Sequence, residues 1–127
     1  MEDQDAYIKD ESHPIPDLDV CDVEAELLGG GAKLTIVIAS PLQNDIRSYM
    51  RLMRKFDNYL GYITSEVFAQ RYGKPTPEKT SIVVRYHPDT NQEMIKLINQ
   101  CYGWVEDNGA TLILTPLDFS KAEEGKL

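Results

Sequence analysis

The chain has 127 residues, 42% of them hydrophobic, and a formal net charge of −8. That length suits one domain with a real core, and no apolar run approaches the ~18–20 residues that cross a bilayer. The first thirty residues lack the basic start and apolar centre of a secretory signal, so a cytoplasmic location without a membrane partner is expected.

The charge is unevenly placed. Residues 1–25 hold nine acids against Lys9 alone, whereas the rest of the chain balances twelve acids with twelve bases. "MEDQDAYIKDESHPIPDLD" (1–19) is acidic, contains two prolines and has no periodicity. Such a segment buries too little apolar area to offset its ordering entropy. It is read as a leader that is mobile, or draped over the body.

"VCDVEAELL" (20–28) alternates, with Cys21, Val23, Ala25 and Leu27 on one side and Asp22, Glu24 and Glu26 on the other. Period two with acids on one side predicts a half-buried strand whose acidic face meets water. "GGGA" (29–32) supplies a tight reversal, and "KLTIVIAS" (33–40) returns as the second strand of a hairpin. In "SPLQ" (40–43), Ser40 can cap a helix, Pro41 suits its first position and Gln43 completes a capping box. Ile46, Tyr49, Met53, Phe56, Leu60, Ile63 and Val67 then form one apolar stripe, opposite Arg47, Arg51, Arg54 and Lys55. A helix over 43–71 would be about 43 Å long, against about 26 Å for an eight-residue strand. It must overhang the sheet or break, and Gly61 or the Ser65 region is where a break is expected.

"YGKPTPEK" (72–79) is a loop and "TSIVVRYH" (80–87) a third strand. Pro88 stops that strand. Thr90 with Glu93, or Asp89 with Gln92, then caps a second helix carrying Met94, Leu97, Ile98, Cys101, Trp104 and Val105 on its apolar face. Gly109 suits the helix exit, "TLILTP" (111–116) is a fourth strand, and 119–127 is a polar tail. The order β-β-α-β-α-β, with right-handed crossovers, predicts an α+β two-layer sandwich. Its four-stranded mixed sheet has both helices on one face, in a single domain spanning 20–118. The other face would carry Thr35, Val37, Ser81, Val83, Arg85, Thr111 and Ile113, with Val37, Val83 and Ile113 as a row open to water, a dimer or another partner.

The residues with chemistry have plainer uses. His87 ends a strand where α/β proteins often place function, but its neighbours are what a helix start requires. The glycines join two strands and not a strand to a helix, so they do not read as a phosphate cradle. The basic stripe of Arg47, Arg51 and Arg54 reads as a solvated face, or as a surface the leader covers by weak, salt-screened attraction. A neutral body and an acidic leader argue against nucleic acid. Cys21 and Cys101 read as buried thiols. No nucleophile–base pair, metal spacing or cofactor fingerprint appears, so no catalytic residue, metal or cofactor is expected.

"KFDNYLGYITSE" (55–66), "IVVRYHP" (82–88) and "NGATLILTP" (108–116), together with the hairpin, resemble a family of small bacterial proteins classed only as a domain of unknown function. The resemblance spans about residues 20–118, rests on Lys55, Phe56, Tyr59, Leu60, Ile63 and Ser65, and implies no activity.

The function expected is that of a non-enzymatic protein-interaction module, binding another protein or itself as a homodimer. Its narrower form is an acidic inhibitor or immunity-type protein whose leader meets a basic partner. Val37, Val83 and Ile113 on the sheet, with Arg47, Arg51, Arg54, Tyr59 and Tyr62 on the helix, are the surface residues that suit it. The alternative is a small enzyme or ligand-binding domain with a site at the strand ends near Ser40, His87 and Thr115.

Overall fold

The structure, a computed structural model, describes residues 8–118. Its elements in chain order are β1 (Val23–Glu26), β2 (Ala32–Ile38), α1 (Ile46–Ile63), α2 (Glu66–Tyr72), β3 (Thr80–Tyr86), α3 (Gln92–Gln100), α4 (Tyr102–Asp107) and β4 (Thr111–Pro116). The strands form one sheet in the order β1-β2-β3-β4, with β1 antiparallel to β2 and the others parallel. This is the mixed-sheet α+β sandwich that the element order predicts. Leu34, Ile36, Ile38, Ile82, Val84 and Leu112 point to the helices and meet Leu52, Phe56, Leu60, Ile63, Met94, Ile98 and Val105 in one core. The polar tail beyond residue 118 lies outside the described residues.

The long helix breaks rather than overhanging, and it does so near Ser65 and not at Gly61. Thr64 ends α1, and the Ser65 hydroxyl accepts from the Phe68 N–H to start α2. At 1.5 Å per residue the 18 residues of α1 span about 27 Å, close to the length of about 23 Å expected for the seven-residue strands. Its start is later than the sequence suggests. Ser40 is exposed and caps nothing; Asp45 is the cap, accepting from the Ser48 N–H at 2.7 Å. The backbone at Leu42 is engaged elsewhere, its N–H donating to Thr90 Oγ1 and its carbonyl accepting from the Asn91 N–H. That bond also removes Thr90 from capping α3, a role taken by Asn91. The second predicted helix is likewise divided at Cys101.

The first strand is reversed in facing. Register pairs Glu24 with Leu34, a core residue, and Val23 with Thr35. The acids of β1 therefore turn toward the helices, and Val23 lies 50% exposed on the opposite face. The reason is a set of distant partners. Lys55 reaches Asp22, and Tyr62, Tyr72 and Arg71 reach Glu24.

The leader is draped along α1 over its described part. The Lys9–Asp17 bridge and the bonds Asp10 N–H to Pro16 O (2.7 Å) and Leu18 N–H to Ile8 O (3.1 Å) close a loop. Ile15 and Leu18, each 1% exposed, enter the core. Of the basic stripe of α1, Arg51 and Lys55 thus lie on a second buried face, both 0% exposed, while Arg47 is half-buried and Arg54 is exposed. A weak screened attraction does not describe this contact, because its main bonds run from buried cations to backbone carbonyls, out of reach of salt.

Candidate functional site

Three places bring polar or exposed groups together. The first is the seam between leader and α1. Arg51 donates from Nε and Nη2 to the Ile15 carbonyl (3.0 and 2.8 Å) and from Nη2 to the Ile8 carbonyl (3.1 Å). Lys55 Nζ donates to the Asp17 and Val20 carbonyls and to Asp22 Oδ1, the last two at 2.8 and 2.9 Å. An ammonium has three N–H groups, so this one is saturated. Arg47 holds Asp10 at 2.6 Å, and that carboxyl lies well below its usual range because Ser12 and Arg47 both donate to it. His13 Nδ1 accepts from the Ile15 N–H at 2.9 Å, so in the neutral ring Nε2 carries the hydrogen, 3.0 Å from Ser48 Oγ.

Beside this seam a groove of about 320 Å³ opens between the leader, β1 and α1, lined by Leu18, Val20, Cys21, Glu24, Tyr62 and Arg71. Its titratable groups are held in their ordinary resting forms. Burial raises the Cys21 thiol, which donates to the Val23 carbonyl at 3.3 Å. Burial opposes ionisation of Glu24, but the Tyr62 and Tyr72 hydroxyls and the Arg71 guanidinium outweigh it and keep the carboxylate charged. Tyr62 is pushed up to about 12 by burial and by its bond to Glu24, and burial raises Tyr59 and Tyr72 as well. A protonated thiol, protonated phenols and a carboxylate held through Oε2 by three donors make a clamp between hairpin and helices. None of them is a poised base or nucleophile.

The second place is the carboxyl-terminal rim of the sheet, where Ser40, His87 and Thr115 lie. Ser40 is exposed in the loop after β2. His87 closes the chain: its N–H donates to Ile38 O (2.9 Å), its carbonyl accepts from the Thr90 N–H (2.9 Å) and Nδ1 accepts from the Asp89 N–H (3.0 Å). Thr115, half-buried, is the register partner of Arg85 on the helix-free face and so points away from the helices that His87 introduces. The three share a rim, and the backbone and Nδ1 of His87 are engaged in the turn.

The third place is the helix-free face itself. Register lays Val23, Thr35, Val83 and Ile113 in one row across all four strands. The ends of the row are open, Val23 at 50% and Ile113 at 45%, while Val83 in the middle is 6% exposed. Lys33 and Arg85 are exposed above and below it, Ser81, Thr111 and Thr115 are half-buried, and no strand position on this face is acidic. Of the residues expected at an interaction surface, Val37, Val83 and Ile113 are on this face, but Val37 pairs with Arg85 and not with Val83, and Val83 is buried. Arg54 is exposed on α1, and Tyr62 and Arg47 are half-buried. Arg51 and Tyr59 are inside the molecule, so neither presents a surface. Sequence reasoning missed Val23, and the Glu24 clamp that turns it outward. The signal was present as three polar partners on the helices, but no local pattern ties them to β1.

Among the described residues no group of three or more His, Cys, Asp or Glu side chains is placed to hold a metal ion, and no helix is long and apolar enough to cross a membrane. Comparison with family models, with curated proteins and with solved structures finds no match. The functional reading rests on the geometry above.

Proposed function

We propose that this chain is a non-enzymatic protein-binding module, and that the helix-free face of its sheet is the binding surface. The observation that carries the reading is charge segregation around a row whose apolar ends, Val23 and Ile113, are open. In a chain of net charge −8, one sheet face bears Lys33 and Arg85 as its charged groups and exposes Val23 and Ile113 between them. A contiguous apolar patch rimmed by polar groups marks a docking surface. The partner that fits is a protein surface with carboxylates around an apolar centre, since complementary charge speeds encounter and fixes register.

The leader supports a different role from partner capture. Asp10 and Asp22 are bonded to Arg47 and Lys55 of the same chain, so these charges serve the fold and are not presented to a basic partner. The strand-end alternative is less well supported, because His87 is committed to backbone closure.

The test is affinity capture from the native host with the full chain and two variants. Lys33→Glu combined with Arg85→Glu reverses the face, and Arg54→Glu changes an exposed helix position. The reading expects a bound protein that is lost with the first variant, retained with the second, and weakened by salt. Retention by the reversed face, or loss with Arg54→Glu alone, would overturn it.

A further inference from the structure

We propose that β4 is a self-complementary edge, through which two copies of the chain pair antiparallel into one eight-stranded sheet. The strand reads Thr111-Leu112-Ile113-Leu114-Thr115, which is the same in both directions. Antiparallel pairing about a two-fold at Ile113 therefore sets Thr111 against the partner's Thr115, Leu112 against the partner's Leu114, and Ile113 against the partner's Ile113. Each pair is matched in size and chemistry, as an isologous contact requires.

The backbone agrees with this register. The Leu117 N–H donates to the Tyr86 carbonyl on β3 at 2.8 Å. Backbone direction alternates along a strand, so Thr111, Ile113 and Thr115 also face β3, while Leu112 and Leu114 turn their N–H and C=O groups to the edge that no strand covers among the described residues. In the proposed pairing Leu112 and the partner's Leu114 exchange two hydrogen bonds, and symmetry repeats them on the other side. Ile113 is then the non-hydrogen-bonded pair, the kind that brings side chains closest, and its side chain is 45% exposed. Pro116 falls in the outward set and has no N–H, so it ends the ladder there.

The two edges of the sheet differ in protection. Edge strands are ordinarily blunted by charge, shortness or proline. β1 has four residues, two of them Glu. β4 has six residues, no charge, and no proline before its last position. A five-residue edge buries less than the ~1,200 Å² of a stable interface, so the dimer is concentration-dependent. This inference rests on the strand edge and not on the face reading, and it fails or stands separately.

The test is sedimentation equilibrium of the full chain up to millimolar concentration, with amide exchange at low and high concentration. The mass should rise from 14.4 kDa toward twice that value, and the Leu112 and Leu114 amides should gain protection as it does. Thr111→Lys combined with Thr115→Lys places like charges across the two-fold and should weaken association by about tenfold or more. Thr111→Lys combined with Thr115→Glu places opposite charges there and should restore it. Far-UV circular dichroism shows whether each variant is folded. If one is not, the exchange data on the unaltered chain decide. A mass of 14.4 kDa throughout, or a dimer with fast-exchanging Leu112 and Leu114 amides or insensitive to both folded pairs of substitutions, would overturn the proposal.

Discussion

Lys55 shows how much a single side chain can organise. It sits on a helix face that composition marks as solvated, yet it is fully buried and its three N–H groups meet three oxygens from 17, 20 and 22. Removing the donor strands two carbonyls and leaves Asp22 with the Val37 N–H alone. Lys55→Met should destabilise the fold by about 2–4 kcal/mol, read as a lowered urea midpoint; a change below about 0.5 kcal/mol is what an ordinary surface position gives. His13 adds a pH dependence of definite sign. Burial, then the Arg51 and Arg47 charges, hold its pKa below the ordinary 6.5, against weaker opposition from Asp10 and Asp45. The unfolded chain takes up the proton first, so the stabilisation is complete above about pH 6.5 and lost as pH falls toward the folded value. Protonating Nδ1 also removes the acceptor of the Ile15 N–H. The urea midpoint should drop between about pH 7.5 and about pH 5.5, and His13→Gln should flatten that drop. Asp10, whose pKa lies well below its ordinary 3.8, contributes its own loss only in stronger acid.

At the scale of elements, the strands were legible and their surroundings were not. Period two and the glycines locate the hairpin, and the ladder of β4 is read residue for residue from "TLILTP". Which way β1 faces is decided by Lys55, Tyr62, Arg71 and Tyr72, 33–48 residues away, and a strand's own alternation carries no information about them. The rule that acids face water yields where hydroxyls and cations await them. Helix α1 misled for a related reason: it has two covers. The sheet side takes Leu52, Phe56, Leu60 and Ile63, while the leader side takes Ser48, Arg51, Lys55 and Tyr59. Ile46, Tyr49 and Val67, at the ends and flank of the expected stripe, stay exposed. A break near Ser65 was legible only as one of the outcomes length allowed, beside an overhang or a break at Gly61, which instead lies inside α1. The reversal between β1 and β2 gives a direct check. A Cβ on Gly31 would lie 1.9 Å from the Lys79 carbonyl oxygen, at φ +93°, while Gly30, at φ +103°, has open space around it. Gly31→Ala should therefore cost about 3 kcal/mol or more and Gly30→Ala about 1 kcal/mol, compared by thermal or urea unfolding.

For the whole molecule, the distribution of charge connects fold to function. The acidic start of the chain is folded back along α1 from residue 8 onward, where Asp10, Asp22 and Glu24 find internal cations. On the proposed binding role, the surface offered to a partner is the sheet face with exposed Val23 and Ile113 and two cations. The rim with Ser40 and His87 was legible as a junction, and the structure uses His87 as one. Of the row expected on the open face, Val83 and Ile113 do pair, but Val37 pairs with Arg85 instead, and the outer end at Val23 depended on the turned strand. The measurement that tests this account most directly is photo-crosslinking in the native host. A benzophenone side chain is placed in turn at Val23, at Lys33, at Glu66 on α2 and at Ser40. The account predicts an adduct with another protein from Val23 and Lys33 and none from Glu66 or Ser40. Adducts from Glu66 or Ser40, with none from the sheet face, would contradict it.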